Sequence, residues 1–130
     1  MTIVTGGSGN MRDIKGKWSG KVDQFSHDHE GTVAVRLTID EVTGDEFVGT
    51  MDWPTIGCVT QVQGYLDGER MIWSETDYLK GEDVVLYGLY VAQLKSDREI
   101  EGDWMDPKHT IYPKGPSYGV AGASFALARE

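Results

Sequence analysis

Helical spacing is hard to find in these 130 residues, and long apolar runs, basic clusters and cysteines are scarcer still. A single cysteine, Cys58, excludes an internal disulfide and leans the chain toward a reducing compartment. No stretch reaches the roughly 20 apolar residues of a membrane-spanning helix. Residues 1–11 lack the apolar centre of a signal peptide, so a cytoplasmic protein with no membrane partner is expected. Lys and Arg total 12 against 21 Asp and Glu, a formal charge of −9 with no basic run. Such a surface repels phosphate backbones, and no nucleic-acid partner is expected. Gly6-Gly7-Ser8-Gly9 opens no strand-to-helix unit and is no phosphate loop. Residues 1–13 read as a flexible tail ahead of a single domain over 14–130.

What the chain does have is glycine, 17 residues or close to twice the average usage, together with four Trp and six Tyr. From Gly16 onward, short alternating runs are separated by turn chemistry. The runs cover 18–26, 32–40, 47–53, 58–66, 70–77, 84–94, 98–105 and 119–129. In the second, Val33, Val35, Leu37 and Ile39 share one face and Arg36, Thr38 and Asp40 the other, a strict period of two. The third ends at Pro54, where a strand should stop. Asp67-Gly68 is a strong two-residue hairpin signal.

Most connections are only a few residues long and exclude parallel crossovers, which need a dozen or more residues. The strands therefore form a meander, and closure removes its two exposed edges. The fold expected is all-β, an eight-stranded antiparallel up-and-down barrel, with an orthogonal sandwich as the alternative. An eight-stranded barrel is just wide enough inside for side chains or one small ligand.

Gly16-Lys17-Trp18 opens the first strand and Arg129 stands near the end of the last. These residues, with Asp67-Gly68, Met71, Trp73, Tyr90, Leu94, the segment 100–104 and the segment 125–129, resemble the calycins: lipocalin, fatty-acid-binding and avidin-like barrels. The resemblance implies a calycin-like barrel in which Arg129 lies across Trp18. It does not carry over a ligand. Ser19-Gly20-Lys21 does not reproduce the residues with which avidins hold biotin, and the Arg-x-Tyr pair that reads a fatty-acid carboxylate is absent.

With Trp18 pointing in at the bottom of strand one, alternation and strand direction sort inward residues by height. The bottom collects Trp18, Ile39, Phe47, Leu66, Met71, Leu94, Ile100, Leu127 and Arg129, an apolar plug with one cation. The top collects Gln24, Met51, Trp53, Cys58, Thr60, Trp73, Glu75, Asp77, Tyr90, Trp104 and Asp106. Glu75 and Asp77 lie two apart, hence on one face, with Met71 and Trp73. A one-residue slip would instead place Ile72, Ser74 and Thr76 inside and both acids in water.

An inward Glu75 would have its pKa raised by desolvation, and an empty pocket would leave it in need of solvation by water or ligand. The expectation is a small-molecule site, for a ligand partly aromatic or amine-bearing. Gln24, Met51, Trp53, Cys58, Thr60, Trp73 and Trp104 would line it, and Glu75 would be its polar anchor. The alternative is a cofactor-independent cyclase, isomerase or lyase of a biosynthetic pathway, with Glu75 as general acid or base and Asp77, Tyr90 or Gln24 orienting the substrate. A purely structural module with a filled interior is the third class.

No cofactor and no metal are expected. His27-Asp28-His29-Glu30 lies in a turn with no third ligand at a recognisable spacing. Strand six is apolar on both sides. Its outer residues Val85, Tyr87, Leu89 and Val91 suggest a homodimer or a patch covered by the proline-rich loop 106–118, which could also fold over the mouth.

Overall fold

The computed structural model of the chain describes residues 13–26, 29–105 and 122–130. Its strands are β1 (Gly16–Ser26), β2 (His29–Thr43), β3 (Glu46–Trp53), β4 (Cys58–Asp67), β5 (Arg70–Lys80), β6 (Leu89–Ser96), β7 (Glu99–Met105) and β8 (Gly122–Arg129). Each pairs antiparallel with its sequence neighbour, and β8 pairs with β1, so the sheet closes into a barrel. The meander expected from the short connections is present, and the sandwich is not. No helix long and apolar enough to cross a membrane occurs among the described residues.

Period-two patterning builds the wall. Val35, Leu37 and Ile39 of β2 are buried while Arg36 and Asp40 face water, and Phe47, Met51 and Trp53 of β3 are buried in turn. The β4–β5 hairpin turns at Gly68, whose φ of 63° is a left-handed conformation that glycine adopts without a Cβ penalty. Gly64 serves a different purpose. A Cβ there would lie 2.5 Å from Trp73 Cβ and 2.7 Å from Phe47 Cζ, so its missing side chain is what admits those two rings to the lumen.

The base is closed as expected. Trp18, Ile39, Phe47, Leu66, Met71, Leu94, Ile100 and Leu127 are all buried there. The Arg129 guanidinium carbon stands 4.5 Å from the Trp18 ring centroid, a cation–π contact. Arg129 also donates to the carbonyls of Asp97, Lys15 and Asp13, and the Trp18 indole N–H donates to the Ile14 carbonyl at 2.9 Å. Residues 13–15 thereby strap the bottom of the barrel, with Ile14 fully buried.

Three strand assignments need correction. β2 spans His29–Thr43 instead of 32–40. β5 runs on to Lys80 instead of stopping at residue 77, and β6 starts at Leu89 instead of residue 84. A run that is apolar on both faces carries no period, so residues 84–88 gave no signal of their break. Tyr87 sits at a φ of 66°, outside the extended region, and ends any pleat there. Val85 and Tyr87 therefore lie on a connection, not on the outer face of a strand, although both are exposed, as Leu89 is. The tail 1–12, His27, Asp28 and the loop 106–121 lie outside the described residues.

Candidate functional site

Four successive strands each contribute one side chain to a polar cluster inside the upper barrel: Trp53 from β3, Thr60 from β4, Glu75 from β5 and Tyr90 from β6. Glu75 is 1% exposed, and Thr60 is fully buried. Its carboxylate accepts three hydrogen bonds, from Trp53 Nε1 at 2.9 Å and Thr60 Oγ1 at 2.5 Å on Oε2, and from the Tyr90 hydroxyl at 2.5 Å on Oε1. None of these donors is charged. Burial pushes the Glu75 carboxyl above its usual range, and the bonds from Thr60, Tyr90 and Trp53 pull it back only in part. Burial also drives the Tyr90 hydroxyl well above the ordinary tyrosine range, with the Glu75 charge adding to the shift. Protein donors thus supply the solvation that the sequence assigned to water or a ligand.

Beneath and beside the carboxylate lies an aromatic floor. Trp73 and Tyr90 stack at 5.1 Å with an interplanar angle of 8°. Phe125 meets both edge-on, at 5.5 Å and 5.7 Å, and Trp104 tilts against Tyr90 at 6.4 Å. The indole nitrogens of Trp73 and Trp104 are buried and have no hydrogen-bond partner among the described residues. Met51 and Cys58 are buried in the same lumen. The structure therefore brings Met51, Trp53, Cys58, Thr60, Trp73, Glu75, Tyr90 and Trp104 to the barrel interior. The side chain of Gln24 and the whole of Asp106 lie outside the described residues, as do the side chains of residues 27–30, of which His29 and Glu30 open β2 and do not lie in a turn. No metal-ligating cluster occurs among the described residues.

Asp77 is not part of this cluster. It is exposed, because the β4–β5 register shifts between Gln61 and Val62: Val62 faces Glu75 while Gln61 faces Asp77, leaving Thr76 as an extra residue. The bulge reverses the parity of the residues next beyond it, before a second shift between Val59 and Thr60, so two residues that share a face in a regular strand part company here. Sequence reasoning also passed over Phe125. The signal was available, since period two on β8 carries Leu127 inward and Phe125 with it.

The wall is thinnest beside Glu75. The β5–β6 ladder holds only 70–73 against 90–93, so the upper half of β5 has no strand partner on that side. Residues 84–88 cross the gap instead. Tyr87 N–H donates to the Glu75 carbonyl at 2.8 Å, Ser74 Oγ to the Gly88 carbonyl at 2.8 Å, and the Tyr78 hydroxyl to the Val84 carbonyl at 2.5 Å. Gly88 fits under Trp104: a Cβ there would lie 2.1 Å from the indole nitrogen. A separate open depression lies on the outside of the wall, over Val48, Tyr65, Ile72 and Leu89, and does not include Glu75.

The fold and this interior define a closed, eight-stranded up-and-down barrel with a polar core at one end. Two solved structures share the architecture. A redesigned beta barrel, b11L5F_LGL, is 12% identical with a TM-score of 0.64, over 90% of this chain and 91% of that one. EF1p2_mFAP2b bound to DFHBI is 12% identical with a TM-score of 0.58, over 90% of this chain and 94% of that one. At such identity the likeness is one of fold alone. No family model and no curated protein matches the chain.

Proposed function

We propose that the protein binds a small, partly aromatic molecule at the upper, Trp-lined end of its lumen, with Glu75 as the polar anchor. The observation that carries this reading is the buried carboxylate itself. Placing it there, with no cation among its hydrogen-bond partners, costs several kcal/mol even after relaxation. Stability alone gives no reason to keep an acid at that position, and buried acids with shifted pKa values gather at functional sites. A barrel neighbour that is bound to DFHBI supports the idea that this architecture accommodates a small aromatic guest. Gly16-Lys17-Trp18 and the Arg129–Trp18 contact support a calycin-type ancestry for the barrel.

Titration of a metabolite panel against intrinsic tryptophan emission tests the proposal. A saturable change with at least one compound, weakened in Glu75→Gln, is expected. A panel without any response overturns it.

The raised carboxyl and its short bond to Tyr90 favour a second reading, proton transfer on a bound substrate with Glu75 as base. Exchange of the activated protons of 2-tetralone in D2O, faster with the wild type than with Glu75→Gln, would support it, and equal rates would dismiss it. The exposed Val85, Tyr87 and Leu89, with Val91, suit a homodimer contact, which sedimentation velocity tests.

A further inference from the structure

Resting on the reading of the upper lumen as a ligand site, we propose that the ligand is a neutral, flat heterocycle with a lactam-type edge: an N–H donor beside a carbonyl acceptor. The site leaves three polar positions unsatisfied.

A carboxylate offers about four acceptor positions. Three are taken by Trp53, Thr60 and Tyr90, which leaves one on Oε1 for a donor from outside the protein. An indole nitrogen can only donate. Those of Trp73 and Trp104 are both buried and unpartnered among the described residues, and unpaired buried donors are rare in folded proteins. Both rings neighbour Tyr90, at 5.1 Å and 6.4 Å between centroids, and the Tyr90 hydroxyl touches Glu75. Two rings with spare donors thus neighbour Tyr90, and its hydroxyl binds the carboxylate that has the spare acceptor. The Trp104 nitrogen lies close against Gly88, where a Cβ would stand 2.1 Å from it.

The same three positions discriminate among charges. An anion would meet a carboxylate with no cation among its hydrogen-bond partners, inside a chain of net charge −9. A simple amine would satisfy Glu75 and leave both indoles unmet. A plain hydrocarbon would satisfy neither. Only a neutral donor–acceptor edge answers all three open positions, and the stacked Trp73–Tyr90 pair gives its flat face a surface to lie on.

Isothermal titration calorimetry with four matched bicyclic probes tests this: 2-quinolone, naphthalene, 1-naphthylmethylamine and quinoline-2-carboxylate. 2-Quinolone is expected to bind at least about tenfold more tightly than the other three, as two added hydrogen bonds imply. Trp104→Phe keeps a ring but loses the N–H. It is expected to weaken 2-quinolone about fivefold and leave naphthalene unchanged, with Trp73→Phe as the second variant should the first unfold. Naphthalene or the amine matching 2-quinolone, or the carboxylate exceeding it, overturns the lactam proposal while the ligand site stands. Heat from none of the four overturns the proposal, and the metabolite panel then decides whether the site itself survives.

Discussion

The two ends of this barrel solve the same packing problem in opposite ways. At the base, every group has a partner that stabilises it. Trp18 donates to the Ile14 carbonyl, Arg129 covers its ring, and the guanidinium N–H groups find three main-chain carbonyls. At the top, an acid is buried among uncharged donors, two indole N–H groups are unpaired among the described residues, and an irregular segment replaces a strand in the wall. The base is built for stability. The top departs from that optimum at several adjacent residues, which is how functional sites differ from the scaffolds that hold them.

Mutations can break this contrast or sharpen it. The largest effect belongs to the base: Trp18→Ala should destabilise the barrel by about 3–5 kcal/mol in chemical denaturation, since it empties a fully buried site. Arg129→Ala should follow with about 2 kcal/mol, from the lost cation–π contact and carbonyl bonds. Neither should alter ligand affinity in the surviving folded fraction. A matching loss of binding would dissolve the distinction between the two ends.

Glu75→Gln should behave in the opposite sense, costing only about 1–2 kcal/mol of stability while removing most of the binding. It should also change the response to pH. Because the folded-state carboxyl is raised above the unfolded value of 4.5, the native state holds its proton more firmly. The stability this contributes is complete below that value and is lost as pH rises through the raised one. Thermal midpoints measured against pH should fall across this window in the wild type and not in Glu75→Gln. A parallel pair of curves would mean that the Glu75 carboxyl is not raised.

The smallest effect has the opposite sign. Tyr87 holds a left-handed φ of 66° in the irregular segment of the wall, where an L side chain costs about 1 kcal/mol or more. Tyr87→Gly should remove that strain and stabilise the barrel by up to about 1 kcal/mol, read as a raised denaturation midpoint. A clear loss instead would show that the exposed Tyr87 ring contributes packing that outweighs its backbone strain.

Alternation and turn chemistry in the sequence by themselves determined the eight antiparallel strands, the closed meander, the apolar base under Trp18 and the inward direction of Glu75. These follow from a local rule, since a pleated strand turns successive side chains to opposite faces and a short turn must join antiparallel neighbours. What breaks that rule is not local. The bulge opposite Gln61 and Val62 sent Asp77 into water, and it arises from pairing between β4 and β5 rather than from any residue of β5 alone. The late start of β6 at Leu89 depends on Tyr87 and Gly88 meeting Glu75 of β5 and Trp104 of β7 on either side. The choice of Trp53, Thr60 and Tyr90 as partners of Glu75 was likewise decided by tertiary structure. Curvature of the paired sheet brings one residue from each of four neighbouring strands to the same carboxylate, and hydrogen bonds respond to distances in space that no spacing along the chain encodes.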